Sequence, residues 1–251
     1  MGFDLLANPF AALGLPADAT AGEVTARARQ LGNAEAAAAS RSLLIPKTRL
    51  LAELSYLPGA SHGVADATLE ALKAGREPAL RVLEPLARCN VLAHLASQGK
   101  ATPSHLGEWA GLQDAIRPTA AGLVDAARRQ AGMPTVPGEM LDPALDALVS
   151  QHADAFTEGM LAAPDGADLL AALLVGAPPE ASARASFLRR SAAAWERATA
   201  SDAARDLESA APIEAVLRYR SDPEAADQLA TIAARFANRT KPPRIAALSL
   251  A

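Results

Sequence analysis

The sequence is poor in the residues from which strands, covalent staples and reactive centres are built. Its 251 residues include 9 Val and 5 Ile, and aromatics make up 4%. Strands favour β-branched and aromatic side chains, so an all-β or large α/β domain is excluded. The single cysteine, Cys89, excludes an intramolecular disulfide. It lies between Leu86 and Leu92 in an apolar-periodic stretch and reads as a small buried residue, with no His or Asn arranged to activate a thiol. The longest apolar patch, residues 169–175, falls far short of the ~18 residues that a membrane helix needs. Lys and Arg total 24 against 28 Asp and Glu, a net charge of −4. With no positive excess and no polybasic block, neither nucleic acid nor a membrane is an expected partner. The opening MGFDLLANPF has no basic stretch followed by a long apolar run, and Leu6 stands where myristoylation needs Ser or Thr. A cytoplasmic location is the expectation.

What the chain has is 63 Ala and 35 Leu. Both favour helix, so the expected fold is all-α, and 50% hydrophobic residues are enough for a packed core. Arg outnumbers Lys by 20 to 4, which with so much Ala suggests a GC-rich bacterial genome. Punctuation marks the helices. Thr20 and Glu23 form a capping-box pair that opens a helix over 21–31, and Gly32-Asn33 can close it. A second helix is expected over 34–44 and a third over 47–57, after Pro46. Pro58 to Gly63 reads as a boundary, followed by a helix over 64–74. Pro85 should kink or split the periodic stretch 77–97, and Pro118 should interrupt a helix capped by Ser104 over 106–130. Gly132 to Gly138 reads as a linker, and Asp142-Pro143 as the start of a helix to residue 162. Further helices are expected up to residue 238. They include the long charged pattern 180–209, whose interleaved Arg and acidic residues form either a solvated ion-paired face or a partner-binding ridge. The last residues, 239–251, form a tail that packs across the body or docks on a partner.

Residues 8–58, about a fifth of the chain, resemble a J-domain, the module of the DnaJ family of co-chaperones. The resemblance rests on NPFAALGLPADATAGEVTARARQL. Leu13-Gly14-Leu15 matches the family's turn after a short first helix, and Asp18-Ala19-Thr20 matches the cap of its second helix, with Glu23, Arg27 and Arg29 along that helix. Pro46 and Arg49 match the Pro and Arg that precede the family's final helix. The resemblance implies a helical hairpin and contact with an Hsp70-like ATPase. One departure matters: the family's activity depends on His-Pro-Asp in the loop after helix II, and here that loop reads QLGNA. The stimulating chemistry is therefore expected to be lost and the hairpin kept as a docking scaffold. The division that follows is a degenerate J-like domain at 1–58, a helical bundle at 64–238 and the tail.

Little else points to chemistry. His62, His94, His105 and His152 stand 10 or more residues apart, without metal-ligand spacing. His94 and His152 lie in helical stretches, and His105 reads as an exposed first-turn residue. No phosphate-binding glycine loop or nucleophile elbow occurs. Asp142 with Asp146, and Asp202 with Asp206, have i,i+4 spacing, but a helix cap and a solvated face explain them. No catalytic residue, cofactor or metal is expected. The leading expectation is a non-enzymatic adaptor or scaffold subunit that binds protein partners through helical faces. The alternatives are a divergent co-chaperone that recruits an Hsp70 or Hsp70-like ATPase, and a small-molecule enzyme in a helical cleft. Candidate partner-binding residues are Arg27, Arg29, Leu50, Leu54 and Tyr219, the last flanked by Arg218 and Arg220.

Overall fold

The computed structural model describes residues 3–162. They form eight α-helices, one short 3-10 turn at Leu80–Val82, and no strand. The helices are α1 (Pro9–Leu13), α2 (Ala21–Leu31), α3 (Ala34–Leu44), α4 (Pro46–Leu54), α5 (His62–Lys73), α6 (Pro85–Ser97), α7 (Pro103–Gln130) and α8 (Gly138–Ala162). The all-α expectation holds for this region. Tyr219, the charged pattern 180–209 and the tail lie outside the described residues.

The local signals act as capping chemistry predicts. Thr20 accepts the Glu23 amide at 3.2 Å, and the Glu23 carboxylate accepts the Thr20 amide at 2.7 Å. The Thr20 amide, and secondarily its hydroxyl at 2.8 Å, donate to the Glu23 carboxylate and hold it below its usual range. Gly14 ends α1 at φ 61°, a left-handed conformation that glycine adopts without Cβ strain. Pro85 starts α6 and splits the stretch in which it lies.

Three expectations are corrected. Helix α7 runs through Pro118 without a break. It buries Leu106, Trp109, Ala110 and Ile116 before the proline and Ala120 and Val124 after it, which offsets the roughly 3 kcal/mol that an interior proline costs. The Thr119 hydroxyl adds bonds to the Ala115 and Ile116 carbonyls beside it. Second, α7 begins at Pro103, and its cap is Thr102 where Ser104 was expected. Thr102 accepts the His105 amide at 3.2 Å, and His105 Nδ1 accepts the Thr102 amide at 3.3 Å. His105 thus takes the glutamate's place in a capping box and is buried where exposure was expected. Third, α8 begins at Gly138, so Asp142 lies inside the helix and caps nothing.

The chain forms two compact units. One comprises Asp4–His94 and Ala115–Val149; the other includes Phe3, Leu95–Asp114 and the described residues from Ser150 on. In the first unit α1 and α2 pack on α3, and α3 packs on α4. The Pro58 to Gly63 boundary falls within this unit. Polar bonds cross it: Asn90 on α6 donates to the carbonyls of Leu54 and Tyr56 at 2.7 and 2.8 Å. These carbonyls lie at and just beyond the end of α4, where no helical donor reaches them. Asn8 ties α1 to the same end, donating to the Ala52 carbonyl at 2.9 Å while its own oxygen caps Phe10.

At the centre of this unit Glu53 is held between two arginines. Arg49 Nε donates to Oε1 at 2.8 Å and Arg128 Nε to Oε2 at 2.7 Å. All three residues are at most 5% exposed. Arg49 also donates to the carbonyls of Ala19 and Ala17, and its guanidinium carbon lies 5.4 Å from the Phe10 ring centre. In the second unit Trp109 packs on Phe156 and Phe3 meets His152 edge-on. There α8 approaches α6 so closely that a Cβ on Gly159 would stand 2.4 Å from the Ala96 carbonyl oxygen.

Two substitutions test this packing. Glu53→Gln leaves two buried guanidinium groups without a counter-charge and should cost about 3–5 kcal/mol of unfolding free energy in urea melts. Replacing Arg49, Glu53 and Arg128 together by Met, Leu and Met should cost far less. Gly159→Ala would raise stability by about 1 kcal/mol on helix propensity alone. The backbone contact reverses that sign, and a loss of about 1–3 kcal/mol is expected in the same melts.

Candidate functional site

The most exposed apolar side chains of α4 and α8 meet at a groove in the first unit. Leu51 is 37% exposed and Met140 39% exposed, and with Leu50, Pro143, Ala144 and Ala147 they line a volume of about 530 Å³. Lys47 lines it from α4 and Glu139 from α8, one charge of each sign. The corner that leads into α4 adds Leu44, 48% exposed, and Ile45, 53% exposed. Pro46 causes this corner. A residue before proline avoids the α region, and Ile45 is extended at φ −94°, ψ 120°, which breaks α3 from α4 and turns both apolar side chains outward. Of the six exposed large apolar residues among those described, Leu51 and Met140 line the groove and Leu44 and Ile45 lie at the corner that leads into α4.

The sequence-predicted residues divide sharply. Leu50 is only 2% exposed and forms the floor of the groove. Leu54 is fully buried, so it is corrected from partner residue to core residue. Arg27 is half-buried and engaged within the fold: its Nε donates to the Leu13 carbonyl at 2.9 Å and its Nη1 to Gln30 at 2.7 Å. It joins the end of α1 to α2. Arg29 is exposed, but two residues along a helix point to different sides, so Arg27 and Arg29 make no common basic face. Leu51 and Met140, the exposed pair, were not singled out from the sequence. The signal for Leu51 was its place about 100° around the helix from Leu50, at the edge of an α4 stripe too wide to bury completely.

A second concavity in the same unit, of about 550 Å³, is lined by Pro16, Ala17, Asp18, Tyr56, Leu57, Ser61, His62 and Gln130 among others. The His62 ring nitrogen lies 3.2 Å from Asp18 Oδ1, with His62 largely exposed. Burial, and secondarily the charge of Asp66, push the Tyr56 hydroxyl up to about 12, so it stays protonated at neutral pH. Neither His94 nor His152 lines this cleft. His94 is buried, with Nδ1 accepting the Leu5 amide at 3.3 Å. Asp142 and Asp146 share one exposed partner, Arg117, which spends their spacing on an ion pair between α7 and α8. Among the described residues no group of three or more His, Cys, Asp or Glu could hold a metal ion, and no helix is long and apolar enough to cross a membrane.

A scan against protein-family models finds no match to the chain, and searches of curated proteins and of solved structures find none either.

His152 is completely buried and strongly perturbed. Desolvation pushes its imidazole down to about 3 from 6.5. The folded state therefore holds it neutral where the unfolded chain would bind a proton. Its contribution to stability is complete above pH ~6.5 and is lost as pH falls from there toward ~3, by at most about 1.4 kcal/mol per pH unit. Urea midpoints measured between about pH 7 and pH 4 should fall, and should fall less steeply in His152→Leu.

Proposed function

We propose that this chain is a non-enzymatic adaptor or scaffold subunit of a bacterial cytoplasmic protein complex, with the α4–α8 groove as its docking face. The observation that carries this reading is the apolar groove lined by the exposed Leu51 and Met140 together with a lysine and a glutamate, with the exposed Leu44 and Ile45 at the corner that leads into α4. Scattered exposed apolar residues are ordinary, but a contiguous patch with polar edges is the usual anatomy of an interface. Affinity purification from the native host tests it. Leu51→Glu and Met140→Glu should each reduce the recovery of a stoichiometric partner at least tenfold, while their far-UV spectra and melting temperatures stay near wild type. Equal recovery by wild type and both variants defeats the reading.

A divergent co-chaperone is the second reading. It is supported by the left-handed Gly14 turn, the Thr20–Glu23 box and the exposed Arg29, all at the positions that the J-domain resemblance assigns. Steady-state ATP turnover by a cognate Hsp70-like ATPase separates the two. Stimulation that is lost in Arg29→Glu favours the co-chaperone; binding with unchanged turnover favours the adaptor.

A further inference from the structure

The groove between α4 and α8 has walls of unlike charge and projecting apolar side chains at the α3–α4 corner beside it. Lys47 stands on one wall and Glu139 on the other. Ile45 and Leu44, the most exposed apolar side chains of this region, lie within three residues of Lys47 in the chain. A hollow with one cation and one anion across it is complementary in charge to its own copy under a two-fold rotation. In such an arrangement residue i meets residue j of the other copy, and j meets i. A two-fold axis through the groove sets Lys47 of each copy opposite Glu139 of the other and brings the exposed Leu51 and Met140 of the two copies together.

We propose that the α4–α8 groove is closed by a second copy of this chain, which forms a two-fold dimer. The proposal rests on the reading of the groove as a docking face and names its occupant. The apolar patch is small beside a standard interface, so the dimer is weak and depends on concentration. The charge pairs lie at the groove's edge, where they select the partner and its orientation more than they add affinity.

Sedimentation equilibrium of the full chain over a wide concentration range tests this. The wild type should pass from monomer to dimer, and Leu51→Glu should remain monomeric across the range. Lys47→Glu and Glu139→Lys, each alone, should weaken self-association about tenfold by setting like charges opposite each other. Mixing these two single variants is the decisive arm. A Lys47→Glu copy presents two glutamates and a Glu139→Lys copy two lysines, so the mixture should dimerise at concentrations where each alone is monomeric. The double variant in one chain should dimerise as wild type does. Circular dichroism confirms that each variant is folded.

A wild type that stays monomeric throughout overturns the dimer. So does a dimer that is indifferent to Leu51→Glu, or a mixture that associates no better than its components. If the wild type is monomeric and Leu51→Glu still loses a partner from the native host, the self-association fails and the docking face stands. If Leu51→Glu loses neither a second copy nor a partner, both fail.

Discussion

One carboxylate organises the first unit. Glu53 supplies a single negative charge to two buried guanidinium groups, so the cluster carries a net positive charge inside a low-dielectric interior. Such a cluster persists only if its remaining donors are bonded, and the surrounding backbone does most of that work. Arg49 binds the carbonyls that lead from α1 into α2, the Phe10 ring lies against its guanidinium, and Asn8 and Asn90 take up the carbonyls around the end of α4. Arg128 keeps one buried nitrogen, Nη2, without a hydrogen-bond partner among the described residues. Replacing a buried ion network by apolar residues is often neutral or favourable for stability. What this one supplies is position: α1, α4, α6 and α7 are each fixed by a polar bond with strict direction, in a core built mostly of interchangeable Ala and Leu.

The elements that the sequence made legible were those governed by local chemistry. Thr20 with Glu23, Gly14, Gly32 and Pro85 act within a few residues of themselves, and each behaves as its neighbours dictate. The misreadings arise where distant packing decides. Pro118 reads as a break until both flanks of α7 are seen to be buried. His105 reads as exposed until its ring is seen to complete a cap with Thr102. In the groove the same limit applies. Leu50, Leu51 and Leu54 share the apolar stripe of α4, but nothing in α4 alone says that Leu50 and Leu54 are buried while Leu51 stays exposed. Arg27 and Arg29 look alike in the sequence, and only the fold distinguishes them: Arg27 bonds the Leu13 carbonyl and Gln30, while Arg29 is exposed.

Small side chains shape the second unit in a different way. With few aromatics, volume is filled by bringing helices together, and Gly159 against Ala96 shows how far this goes. The aromatic rings of this unit meet in pairs: Trp109 packs beside Phe156, and His152 meets Phe3 edge-on while remaining uncharged at neutral pH. Ala in this chain is therefore a packing residue as much as a helix former. Of the side chains on α6 from Leu86 to Ala96, only Arg88 keeps appreciable access to solvent.

The bond between Arg128 and Glu53 joins positions 75 residues apart. It sets where the polypeptide can be divided. A cassette cut after α4 would carry Arg49 and Glu53 away as a neutral couple but strand one carboxylate oxygen facing a vanished neighbour. It would also strip Asn90 from the end of α4. For anyone wishing to transplant the first four helices, or to fuse a reporter to them, the natural excision point lies beyond residue 128, well past the proline and glycine that seem to invite the knife.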